Sequence, residues 1–144
     1  MKSTFFVIIS LFFLGSCSKK NDDCETIQPP EPAINIRILD ASGNSLIGED
    51  NIYNPSEITL TRGDKTINLL FPKNNEETYI RLYYPDMESD KDYQLKLTDQ
   101  EIDFLNLILA NNDGFCYDVL EVEALYINGK EIQRDANYAY VIEK

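Results

Sequence analysis

The stretch EITLTRGDKTINLLF, residues 57–71, decides the fold class. Ile58 and Leu60 alternate with Glu57, Thr59 and Thr61, the period-two pattern of a strand with one buried face. Gly63-Asp64 then supplies a two-residue turn with glycine first, as a type II′ hairpin requires. Ile67, Leu69 and Phe71 read as the returning strand. An amphipathic helix would instead space its apolar residues three and four apart.

The same alternation recurs outward from this hairpin. Ile34, Ile36 and Ile38 share one face while Asn35 and Arg37 share the other, before a DASGNS turn. Ile80, Leu82 and Tyr84 alternate with Tyr79, Arg81 and Tyr83, and Leu95 and Leu97 alternate with Gln94 and Lys96. Asn128-Gly129, between LEVEALYI and KEIQ, is the strongest hairpin signal in the chain, a type I′ turn. YAYVIEK closes the sequence as a last strand. Segment 99–110 is open to two readings. Thr98 and Glu101 have the spacing of a helix capping box, but Ile102, Phe104, Leu107 and Leu109 fit a strand, and the NNDG turn that follows favours a hairpin. The expectation is an all-β fold over residues 33–144: a two-sheet antiparallel β-sandwich of seven or eight strands, immunoglobulin-like or transthyretin-like.

Ahead of this domain the chemistry changes. Lys2 is followed by an apolar run from Phe5 to Leu14 broken only by Ser10. Ten helical residues rise about 15 Å, half of the roughly 30 Å a membrane span must cross. A basic start, a short apolar core and small residues at its end are the parts of a secretory signal peptide. Leu14-Gly15-Ser16-Cys17 resembles the lipobox of bacterial lipoproteins. That resemblance implies a cleaved signal peptide over residues 1–16, diacylglyceryl and N-acyl chains on Cys17, and a location in the cell envelope. Palmitate-type chains in that number hold a protein in a bilayer stably. Ser18 follows the cysteine where an inner-membrane retention aspartate would stand, so the resemblance implies the outer membrane. SKKNDD also resembles, with Asn21 interrupting it, the export signal of some surface-exposed lipoproteins; periplasmic face or cell surface is left open. Residues 17–32 read as a lipidated tether and Pro-rich linker, charged in KKNDD and stiff in QPPEP.

Composition narrows the partners. The net charge is −12, and loss of residues 1–16, whose only charge is Lys2, makes it −13 over 128 residues. Such a chain is repelled by phosphate backbones, which argues against nucleic acid as a partner. With Cys17 assigned to lipid, Cys24 and Cys116 remain as an even pair in an oxidising compartment. A disulfide between them would tie the tether to the domain body; two reduced thiols are the alternative.

The residues for catalysis are sparse. The chain has no histidine, which removes the Ser-His-Asp and Cys-His nucleophile systems and histidine metal sites. No glycine-rich phosphate loop is present. Abundant carboxylates leave a small carboxylate-dependent hydrolase as a residual reading, against which stand short strands and little material for a deep cleft. Three sites merit weighing. Asp86, Glu88, Asp90 and Asp92 recur at every second position and could offer calcium some of the six to eight oxygens it takes. They lack the glycine and spacing of a calcium loop, so a solvated acidic loop is the better reading, and no cofactor beyond the lipid is expected. Arg62-Gly63-Asp64 is the tripeptide that host adhesion receptors recognise, although Gly-Asp at a hairpin has its own local reason. Tyr79, Arg81 and Tyr83 form the third. If Ile80 and Leu82 point inward, these three stand side by side outward, where two tyrosines flanking a guanidinium can stack on a glycan or pack on a partner protein. The competing reading is a stripe buried on both faces.

Residues Tyr93 to Ile132 resemble small β-sandwich lipoproteins of unassigned role, through Leu95, Leu97, Asp99, Asp103, Cys116 and Asn128-Gly129-Lys130. The resemblance covers about a third of the chain and implies fold and location, but no reaction. The expected function is a lipid-anchored, non-catalytic binding or accessory module of the envelope. The alternative is a structural or assembly component that pairs with a larger envelope protein.

Overall fold

The computed structural model describes Cys24 and residues 27–74, 77–114 and 116–144; the lipobox and Cys17 lie outside the described residues. Every regular element among them is a strand. Four strands form one sheet in the order β12 (Tyr140–Glu143), β1 (Ala33–Leu39), β7 (Ile80–Tyr83), β4 (Leu69–Leu70). Six form the second in the order β11 (Lys130–Ile132), β10 (Asp118–Ile127), β9 (Ile102–Asp113), β8 (Asp92–Lys96), β2 (Thr59–Arg62), β3 (Lys65–Ile67). A small ribbon joins β5 (Lys73–Asn74) to β6 (Glu77–Thr78).

Alternation becomes burial. Ile34, Ile36, Ile38, Ile80, Leu82 and Ile142 come from the four-stranded sheet, and Leu60, Tyr93, Leu95, Leu105, Leu107 and Leu125 from the six-stranded one; all belong to one continuous buried cluster. Burying a side chain of this size contributes about 1.5–3 kcal/mol. The cluster therefore fixes which way each strand faces, because a slip of one residue would turn its apolar set into water.

Local turns follow their sequences. Arg62 pairs with Lys65 across Gly63-Asp64, and Gly63 has φ +57, the conformation a type II′ turn reserves for glycine. Ile127 pairs with Lys130 across Asn128 (φ +52) and Gly129 (φ +77), the two positive values of a type I′ turn. Segment 102–113 is strand, the long partner of β10. The capping-box pair closes a turn instead of opening a helix: the amides of Leu97 and Thr98 both donate to the Glu101 carbonyl. Cys24 and Cys116 are joined in a disulfide with Cα atoms 5.4 Å apart, beside a hydrogen bond from the Tyr117 hydroxyl to the Cys24 carbonyl at 3.1 Å.

Three expectations are corrected. The four-stranded sheet is mixed, not antiparallel, because β12 runs parallel to β1 with Ile36 opposite Tyr140 and Ile38 opposite Ile142. The described residues hold twelve strands, not seven or eight. One cause is that Ile67, Leu69 and Phe71 are not one strand: the chain leaves the six-stranded sheet after Ile67 and joins the four-stranded sheet at Leu69. The last strand begins at Tyr140, not Tyr138, because Asp135 to Tyr138 forms a turn with Tyr138 at φ +60.

Candidate functional site

Strand β7 has one apolar edge and one mixed edge. Ile80, Leu82 and Tyr84 lie in the core, and the Tyr84 hydroxyl finds the Leu120 carbonyl at 2.9 Å. Tyr79 and Arg81 are half-buried and Tyr83 is exposed. These three residues therefore lie on the outer face of the four-stranded sheet, and a stripe buried on both sides is ruled out. Pairing extends the row sideways: Asn35 of β1 is opposite Arg81, Ala33 is opposite Tyr83, and Leu70 of β4 flanks Arg81 on the other side.

The two arginines on this face are held differently. Arg37 donates Nε and Nη2 to the Glu77 carboxylate at 2.5 and 2.8 Å and Nη1 to Asp135 at 2.9 Å. Its guanidinium is held above the ordinary value, chiefly by the bond to Glu77, with burial opposing and Asp135 adding to the rise. Asp135 also accepts the backbone amides of Asn137 and Ala139 at 2.8 and 3.0 Å. Burial pushes its carboxyl up, but those amides and Arg37 outweigh it and the net direction is down. Asp135 thus shapes the turn that carries Asn137 and Tyr138, and Arg37 ties that turn to the ribbon. Among the described residues Arg81 is bound to Glu31 alone, an ion pair open to solvent. Such pairs contribute about 0–1 kcal/mol, so Arg81 can exchange its partner for a ligand at little cost.

An open groove of about 370 Å³ lies against this network, lined by Asn35, Arg37, Asn74, Glu77, Tyr79 and Asn137. A neighbouring groove of about 360 Å³ shares Asn35 and Asn137 and adds Tyr138. A third, lined by Leu70, Arg81 and Tyr83, continues along the strand. Sequence reasoning found Tyr79, Arg81 and Tyr83 but missed Asn35, Asn137 and Tyr138. Asn35 was legible as an outward β1 residue; nothing in the sequence brings residues 35 and 137 together.

The other candidates fare differently. Asp86, Glu88, Asp90 and Asp92 are not gathered: Glu88 pairs with Arg62 at 2.6 Å, Asp92 accepts from the Asn106 amide at 3.0 Å, and Asp90 turns the chain at φ +58. No group of three or more possible metal ligands occurs among the described residues. In Arg62-Gly63-Asp64 the guanidinium is engaged by Glu88 and lies 5.9 Å from the Tyr93 ring centre, so the tripeptide is not presented as a free arm. No protein-family model, curated protein or solved structure matches the chain.

Proposed function

We propose that this chain is a bacterial lipoprotein, anchored through lipid on Cys17 to the outer membrane, whose domain is a β-sandwich of immunoglobulin-like or transthyretin-like kind acting as a non-catalytic binding module of the cell envelope. The observation that carries the binding role is the two-sidedness of β7: Ile80, Leu82 and Tyr84 are buried while Tyr83 is 46% exposed beside a loosely held Arg81. Tyrosine and arginine are the residue types that anchor interfaces, and they do so when they can be desolvated by a partner. The Cys24–Cys116 disulfide supports an oxidising compartment.

A second reading has its own support. Ile102 and Phe104 are each 47% exposed on the outer face of the six-stranded sheet, which favours an assembly component that docks on a larger envelope protein.

Two comparisons test the proposal. Cys17→Ser should abolish incorporation of labelled palmitate; normal labelling of the variant would remove the anchor. Cross-linking in intact membranes should capture a partner with the wild type and with Phe104→Ser but not with Arg81→Ala/Tyr83→Ser. The reverse pattern would favour assembly through the six-stranded sheet.

A further inference from the structure

We infer that the paired grooves around Asn35 and Asn137 form a subsite for a neutral saccharide; this rests on the binding-module reading and names its ligand class. Arg37 spends its Nε and both terminal nitrogens on Glu77 and Asp135. Three of its five N–H donors are thereby taken, and a phosphate or carboxylate, which bind arginine through paired donors, would meet a guanidinium already matched by two carboxylates. Across both grooves the carboxylates of Glu31, Glu77 and Glu121 outnumber the cations Arg37 and Arg134, and Asp135 adds a further carboxylate against Arg37, so an anionic ligand would be repelled.

The side-chain amides of Asn35 and Asn137 take no protein partner among the described residues, and both border both grooves. An amide offers two donors and an acceptor in one plane, and the fixed carboxylates of Glu77 and Asp135 keep lone pairs for further donors. This array suits adjacent hydroxyls, each of which gives and takes a hydrogen bond. The first groove does not suit a lipid tail, because among its described lining residues only Tyr79 and Ala139 supply apolar surface, whereas the second adds an apolar wall from Ile34, Val119 and Val122 beside the two amides.

Aromatic surface flanks the amides on both sides. Tyr79 lines one groove and Tyr138 the other, and the apolar face of a tyrosine ring stacks on flat C–H surface while its hydroxyl stays wet. Tyr138 is 78% exposed and holds φ +60, a left-handed conformation that a bulky side chain adopts only under constraint. The constraint is Asp135, whose carboxylate ties down the amides of Asn137 and Ala139 around it. A bulky ring held at an unfavourable φ and left in water contributes nothing evident to folding; it is placed for contact with something outside the chain.

The test uses full-length protein purified from membranes in detergent and titrated calorimetrically with four neutral oligosaccharides: maltohexaose, cellohexaose, xylohexaose and mannohexaose. Saturable binding of at least one, in the millimolar range or tighter, is expected, with Asn35→Ala/Asn137→Ala weakening it about tenfold or more. Tyr138→Gly separates binding from folding. Glycine accepts φ +60 freely, so this variant should melt at the same temperature or higher while binding the saccharide more weakly. Failure of all four to bind, or undiminished binding by Tyr138→Gly, would overturn the subsite. Membrane cross-linking through Arg81 and Tyr83 is scored in the same preparation. If that capture persists without saccharide binding, the subsite falls and the binding module stands.

Discussion

Asn128 and Asp103 are joined across the β9–β10 hairpin: the Asn128 Nδ2 donates to Asp103 Oδ1 at 2.8 Å, while the Asn128 Oδ1 accepts the Phe104 amide at 2.8 Å. Asp103 is the one charged residue buried among the described residues, 3% exposed. Its other oxygen accepts from Lys144 Nζ at 2.7 Å, and Lys144 also reaches Glu101 at 2.7 Å. A buried carboxylate without such partners would be strongly destabilising, so the turn residue at 128 is chosen twice, for its positive φ and for its amide.

Replacing Asn128 separates those two roles. Asn128→Ala should cost about 1.5–3 kcal/mol, the range for a hydrogen bond to a charged group, plus the strain of a left-handed alanine. Asn128→Gly should cost less, because glycine takes this φ without penalty. Urea unfolding of both variants checks the order; equal stability of Asn128→Ala and wild type would show that the amide does not support Asp103.

Alkaline pH should weaken the same end of the domain. Tyr53 donates its hydroxyl to Glu101 at 2.9 Å. Burial first, and Glu101 second, push its phenol up to about 12 from an ordinary 10.0. Lys144 moves in the same direction: burial lowers it, but the bonds to Asp103 and Glu101 outweigh burial and the net shift is up. A group raised on folding contributes stability that is complete below its unfolded value and lost as pH rises through its folded one. Stability should therefore fall from about pH 10 to about pH 12, and Tyr53→Phe should flatten part of that fall. An identical alkaline limb in the variant would contradict the assignment.

The disulfide shortens the leash. If lipid sits on Cys17, the Cys24–Cys116 bond brings the loop end of the β9–β10 hairpin within seven residues of the bilayer, a contour of at most about 25 Å. A protease site placed between Pro29 and Pro32 should then be cut without releasing the domain, and only a reductant should set it free. Release without reductant would show that the tether, not the disulfide, holds the domain. Cys24→Ser/Cys116→Ser should also lower stability by about 2–4 kcal/mol, read from the denaturant midpoint.

Much of the fold was legible because period-two alternation reports which face of a strand is buried. Ile34 to Ile38 and Ile80 to Tyr84 turned out as their patterns required. Asn128-Gly129 and Gly63-Asp64 were legible because φ restrictions act within two residues. What alternation does not encode is the partner of a strand. The parallel pairing of β12 with β1 joins residues about a hundred positions apart, and no local rule marks it. The change of sheet at Asn68 also escaped, because Ile67, Leu69 and Phe71 keep their alternation while the hydrogen-bonding partner changes from β2 to β7. The burial of Asp103 was not legible either, because the groups that make it tolerable, Asn128 and Lys144, are distant in sequence. Half of the site shared this problem. Tyr79, Arg81 and Tyr83 lie on one strand and were found together, whereas Tyr138 owes its position to Asp135 and Arg37.

The most direct measurement of the account is the thermal midpoint of Tyr79→Ser/Tyr83→Ser, recorded beside its capture of partner in cross-linked membranes. On an outer face the substitutions should change stability by little more than about 0.5 kcal/mol each, while capture should be lost, since interface anchors of this type commonly cost about 2 kcal/mol or more when truncated. A loss of about 3–5 kcal/mol per residue, the cost of emptying a core position, or capture equal to the wild type, would contradict the claim that this face is where the protein binds.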